Sequence, residues 1–206
     1  MGRKTVGMVI FDDAEVLDFC GPFEVFSATR LDEEKRREEA SPFDVRLVSE
    51  RGETITASGG MRVVSDHGFE NCPKLDILCV PGGWGTRREL SNPAMLVWLR
   101  SRAAEVELLT AVCTGSMLLG FAGLLDGRRA TTHWRSLDWM RESFPSLSVA
   151  YDEHVVDDGT LITSAGISAG IDLALKVVAR YCGESIARAT ARHMEYPYPD
   201  NNLRRI

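Results

Sequence analysis

The sequence predicts an α/β domain on a mainly parallel sheet. Three observations predict it. Strand-like and helix-like segments alternate along the chain rather than clustering by type. The runs Leu75–Val80 and Leu108–Val112 are short and largely apolar, as buried strands are. The strand ends then run into glycine-, proline- or cysteine-bearing turns, where ligands of such sheets bind. A length of 206 residues fits one domain spanning 1–206.

Val6–Phe11 is the first strand. A helix is expected over about Ala14–Thr29, interrupted at Gly21-Pro22 because proline removes a backbone donor. Arg30–Ala40 is almost entirely charged and reads as a solvated helix end or loop. Phe43–Val48 alternates like a strand. Thr54–Ala57 and Met61–Val64 flank Ser58-Gly59-Gly60 and predict a hairpin. Leu75–Val80 is a central strand ending at Pro81-Gly82-Gly83, and Pro93–Ala104 an amphipathic helix. Leu108–Val112 leads through Cys113-Thr114-Gly115-Ser116 into Met117–Leu125, which has helical spacing. Trp134–Phe144 is a shorter helix. Val149–Tyr151, Val155-Val156 and Thr160–Thr163 are short strands, with a turn at Asp158-Gly159. One long helix is expected from Gly166 to about His193, with Ile171, Leu175, Val178, Cys182 and Ile186 on its core face.

Composition narrows the function. A net charge of −6 argues against a nucleic-acid surface. No segment approaches a membrane span and no signal peptide opens the chain. Five cysteines, an odd number without a framework pattern, point to reduced thiols in a cytoplasm. None of the four histidines is paired at metal-ligand spacing.

Cys113 is the candidate nucleophile. A cysteine at a strand-to-helix turn lies beside unpaired N–H groups of a helix N-terminus, which favour thiolate. The arrangement has the logic of a nucleophile elbow with sulfur in place of oxygen. A packing thiol is the competing reading, and Cys79 and Cys182 are assigned to packing. Cys72, before Pro73, is expected in an exposed loop. Asp18 is the candidate acid/base, a carboxyl group in the apolar run Val16-Leu17-Asp18-Phe19. Burial beside a thiolate would raise its pKa and keep it protonated. A capping or surface aspartate is its alternative. Gly82 and Gly83 offer N–H groups for developing negative charge, or form a plain tight turn. His133 is a candidate to line the site. Trp84 and Trp134 are candidates to shape an apolar pocket, although tryptophan more often fills a core.

Five motifs in order carry a resemblance: Leu17-Asp18 with Gly21-Pro22, Cys79–Gly83, Ala111–Gly115, Arg129–Trp134 and Ala165–Asp172. Over about Val6–Met194 the chain resembles the ThiJ/PfpI superfamily, and within it the isocyanide hydratase branch. The resemblance implies a flavodoxin-like sandwich with helices on both faces, a cysteine elbow and a homodimer. It implies Cys113 as nucleophile and Asp18 as general acid/base. Thr114 would contribute its N–H and hydroxyl, and Gly82 and Gly83 an oxyanion-type pocket. It further implies hydration of a small-molecule isocyanide to a formamide through a covalent thioimidate, with no metal or organic cofactor. The peptidase branch has histidine after the cysteine, where this chain has Thr114; the deglycase branch has glutamate where this chain has Asp18. Cys20 departs from the hydratase pattern, which carries threonine there. The same stretches also resemble the N-terminal domain of AraC-type regulators. A chain ending at Ile206 leaves no room for their DNA-reading domain, so a free-standing protein is expected. A non-catalytic small-molecule or redox sensor and a glyoxalase/deglycase are the alternatives.

Overall fold

A computed structural model describes residues 2–205. β1 (Lys4–Val9) leads into α1 (Val16–Ala28), then β2 (Phe43–Val48) and a hairpin of β3 (Thr54–Thr56) and β4 (Arg62–Val64). β5 (Ile77–Val80) precedes the short α2 (Thr86–Glu89) and α3 (Pro93–Ala103). β6 (Leu108–Val112) runs into α4 (Gly115–Phe121). β7 (Arg129–Ala130), α5 (Leu137–Ser143) and β8 (Ser148–Val149) follow. The chain returns through β9 (Val155–Asp157) and β10 (Leu161–Ser164) to α6 (Ala169–Cys182) and α7 (Glu184–His193).

Six strands form the central sheet in the order β2-β1-β5-β6-β10-β9, parallel except for the β9 edge. β5, β6 and β10 are buried at every position, which is why they read as apolar runs without alternation. α1, α6 and α7 pack on one another as one helical group, and α3 packs on α4 as another. This is the flavodoxin-like α/β arrangement the resemblance implied. The ends of β1, β5 and β6 meet above the middle of the sheet.

Several local expectations differ. α1 is not interrupted at Gly21-Pro22, and Pro22 lies inside it. Proline removes the donor to the Asp18 carbonyl, but both residues are buried against α6, where a Cβ on Gly21 would lie 3.0 Å from Ile171 Cγ1. Packing thus overrides the local preference. The long helix is two helices, because Gly183 (φ 95°) breaks the chain direction between α6 and α7. Apolar spacing continues across the break, so periodicity alone did not locate it. The Trp134–Phe144 helix opens with a 3₁₀ turn over Trp134–Ser136. β8 pairs with β7 and not with the central sheet. Cys72 is buried in the core rather than exposed.

The segment after α7 crosses back over the sheet edge. The Asn202 carbonyl accepts from His154 N–H at 2.9 Å, and Asn202 Oδ1 accepts from Val155 N–H at 2.9 Å. Among the described residues no helix is long and apolar enough to cross a membrane.

Candidate active site

Cys113 stands between β6 and α4 with φ 57°, a left-handed conformation that costs a non-glycine residue of order 1–2 kcal/mol. The surroundings hold it there. Its N–H is shared between the Ser164 and Ala165 carbonyls at 3.3 and 3.2 Å. Its carbonyl accepts from the Thr132 and Ser116 hydroxyls at 2.9 and 3.0 Å. Strain held by this many bonds fixes the sulfur's direction.

Asp18 sits in the first turn of α1 and is completely buried. Its Oδ2 accepts from Gly82 N–H at 3.0 Å and its Oδ1 from Ile167 N–H at 3.1 Å. The Cys113 thiol lies against the carboxyl group and favours its ionised form. Burial pushes the Asp18 carboxyl up to about 7, and the N–H groups and thiol oppose this only in part. Burial likewise pushes the Cys113 thiol well above its ordinary range, the Asp18 charge adds to this, and the Thr114 N–H and hydroxyl oppose it. Helix-terminal donors alone would favour thiolate; burial works against them. The two groups disfavour each other's ionisation and titrate as a pair that gives up its first proton near 7.

The two glycines are required by close approach. A Cβ on Gly82 would lie 2.5 Å from Thr114 N, and one on Gly83 2.4 Å from Glu15 N. Only bare backbone lets the three strand ends come together. Their N–H groups are not free donors for an anion: Gly82 N–H is given to Asp18, and Gly83 N–H to Thr114 Oγ1 at 3.1 Å. Thr114 Oγ1 also lies 3.0 Å from Thr86 Oγ1, which fixes the hydroxyl.

A pocket of about 340 Å³ opens over the sulfur, a size typical of small-molecule sites. Gly83, Trp84, Arg87, His133, Trp134 and Ile167 contribute to its wall. His133 Nδ1 accepts from Arg135 N–H at 3.3 Å, and burial with Arg135 and Arg204 lowers the pKa of the ring. A neutral ring with Nδ1 as acceptor carries its proton on Nε2. A point beside Gly166 lies 2.2 Å from His133 Cδ2 and 3.2 Å from Cys113 Sγ, so ring and sulfur flank the same glycine. Trp84 and Trp134 line the pocket from exposed positions rather than filling the core. Cys20 is half-buried on α1 and is not in the pocket wall.

Sequence reasoning missed Ile167, Arg87 and Arg135. Ile167 acts through a backbone N–H, which no residue type signals. Its φ of 63° is unusual for a β-branched residue and marks a held conformation. The arginines carried a signal, since each follows a tryptophan closely in Trp84-x-x-Arg87 and Trp134-Arg135. Among the described residues, no cluster of three His, Cys, Asp or Glu side chains is placed to hold a metal.

Residues 4–180 match the pattern of the DJ-1/PfpI family. The chain is 36% identical over 192 residues to an isonitrile hydratase of Pseudomonas putida, covering 93% of this chain and 78% of that protein. It is 43% identical over 141 residues to the HTH-type transcriptional regulator CdhR of Pseudomonas aeruginosa, covering 68% of this chain but 41% of the regulator. A ThiJ/PfpI family protein from Pseudomonas syringae superposes with a TM-score of 0.84 at 30% identity, covering 98% of this chain and 79% of that one. With the family pattern matched over residues 4–180 and 36% identity to a relative over 93% of this chain, the protein belongs to the DJ-1/PfpI (ThiJ/PfpI) family.

Proposed function

We propose that the protein is a cofactor-independent hydratase that adds water to a small-molecule isocyanide and releases an N-substituted formamide. The carrying observation is the buried Asp18–Cys113 pair, which above about 7 keeps one proton for a carboxyl group and a sulfur. Isocyanide hydration needs a nucleophile and a proton delivered to the same carbon, and this pair supplies both. The 36% identity to an isonitrile hydratase supports the same reading.

The Cys113 sulfur attacks the terminal carbon while Asp18 transfers its proton to that carbon, forming the thioimidate R–N=CH–S–Cys113. Asp18 is then a carboxylate. It takes a proton from water as the oxygen adds to the carbon, and passes that proton to the nitrogen. The carbon–sulfur bond breaks, Asp18 recovers the hydroxyl proton, and R–NH–CHO leaves. Thr114 N–H and hydroxyl stabilise the departing sulfur. Gly82 acts by orienting Asp18, and Gly83 by orienting Thr114.

Similarity to a transcriptional regulator favours a second reading, in which the pocket binds or senses a small molecule without turnover. Purified protein incubated with cyclohexyl isocyanide decides between them by formamide release. Wild type is expected to convert it, and Cys113→Ala to lose at least about a thousandfold in rate. Absence of formamide from both proteins ends the hydratase reading and leaves the sensor.

A further inference from the structure

The pocket mouth carries features that water addition to a neutral isocyanide does not use. Trp84 is 70% exposed and Trp134 48% exposed, and both line the pocket above Cys113. Each carries an arginine of the same pocket over its ring: the Arg87 guanidinium carbon lies 4.3 Å from the Trp84 ring centre, and that of Arg135 4.8 Å from the Trp134 ring centre. Neither arginine forms an ion pair with a carboxylate among the described residues. The neighbouring Arg88 does, with Asp13 and Glu89.

Stacking on an aromatic face engages the flat side of a guanidinium and leaves its in-plane N–H groups for a further partner. It also fixes two long side chains in advance, lowering the entropy cost of using them. Two exposed aromatic faces, each carrying an unpaired and oriented cation, are not what solubility requires. The one acidic side chain of the lining, Glu15, accepts from Ser58 Oγ at 3.3 Å and raises the pKa of Asp18, so it belongs to the inner end. The pocket is therefore acidic within and basic at the rim.

We infer that the rim formed by Arg87 and Arg135 recognises a carboxylate, borne by a small molecule whose flat apolar body lies against Trp84 and Trp134. The reactive end then reaches Cys113 with the anion held outward, away from Glu15 and Asp18. An anion placed the other way round would face two carboxyl groups. Only the identity of the reactive end rests on the hydratase reading; the charge preference rests on the rim.

The probes are 4-isocyanobenzoate and its neutral methyl ester. Binding to Cys113→Ala, followed by tryptophan fluorescence, reads recognition without chemistry. The acid is expected to bind about tenfold more tightly than the ester. That ratio is expected to fall toward one in Arg87→Gln, in Arg135→Gln and in high salt. Equal binding of acid and ester, an unaltered ratio in both variants, or no binding of either probe overturns the inference. Turnover by wild type is scored separately. A charge preference in binding with no formamide from either probe ends the hydratase reading and leaves the carboxylate site standing.

Discussion

Asp18 and Asp172 are both nearly inaccessible to solvent, yet they are built differently. Asp18 is met by two backbone N–H groups and a thiol, and no cation contributes to its environment. Asp172 is met by side chains with charge to offer. His154 Nε2 is 3.0 Å from its Oδ2 but out of line for a hydrogen bond, Arg205 Nη1 is 3.1 Å away, and Tyr196 Oη donates to Oδ1 at 3.2 Å. A buried carboxyl group without a cation retains its proton and has it to give. One faced by a guanidinium is an ion pair, and two of its partners bring the C-terminal segment against α6. The first belongs to chemistry, the second to the fold.

The comparison breaks most visibly in the two asparagine variants. Asp18→Asn removes the proton donor and is expected to lower kcat by about 10²–10⁴; its amide nitrogen cannot accept from a backbone N–H as the second carboxyl oxygen does, so about 1–3 kcal/mol of stability is lost with it. Asp172→Asn removes the charge that faces Arg205, whose side chain is about half exposed, and is expected to cost about 1 kcal/mol of stability. Its remaining folded protein should keep its kcat. Equal losses of kcat in the two variants, at equal fraction folded, would erase the distinction.

The pH dependence of stability sharpens it. Asp18 ionises near 3.8 in the unfolded chain and about 7 in the folded one, so the folded state binds the extra proton between those values. The contribution is fully present below the lower value. It falls as pH rises through the window and is lost above about 7, a change of about 4 kcal/mol. Urea midpoints from pH 4.5 to 8 should decline more steeply for wild type than for Asp18→Asn. Parallel curves would show that Asp18 keeps no proton in the folded state.

These two carboxylates also mark how far the sequence could be read. Asp18 was visible because an acid is conspicuous between Leu17 and Phe19, and Cys113 because it sits between an apolar run and a glycine. Both signals are local. The partners that define each group are not. Gly82 reaches Asp18 across 64 residues and Ile167 across 149, through N–H groups that every non-proline residue owns. Gly82 and Gly83 were legible as special but not in their task, since the acceptors that occupy them come from α1 and the elbow. Asp172 carries no such local signal, because the residues facing it lie on β9's approach and in the last segment of the chain. The break at Gly183 was hidden by apolar spacing that runs on through it.

The smallest expected effect lies where the two regions meet. Arg204, one residue before the partner of Asp172, donates from Nη1 to the Thr132 carbonyl at 3.1 Å, and the Thr132 hydroxyl donates to the Cys113 carbonyl at 2.9 Å. Thr132 therefore stands between the C-terminal segment and the elbow without touching the pocket. Thr132→Val preserves shape and removes one of the two hydroxyls on the Cys113 carbonyl, leaving Ser116. A single neutral hydrogen bond of this kind is worth about 1 kcal/mol. The expected outcome is that loss in urea unfolding with a decrease of about threefold in kcat/KM, since part of the bond's energy holds Cys113 at positive φ. Thr132→Ser, which keeps the hydroxyl, should recover the activity more fully than the stability. A hundredfold loss of activity at unchanged stability would instead place Thr132 in the chemistry, and the elbow would then depend on more than the pair that occupies it.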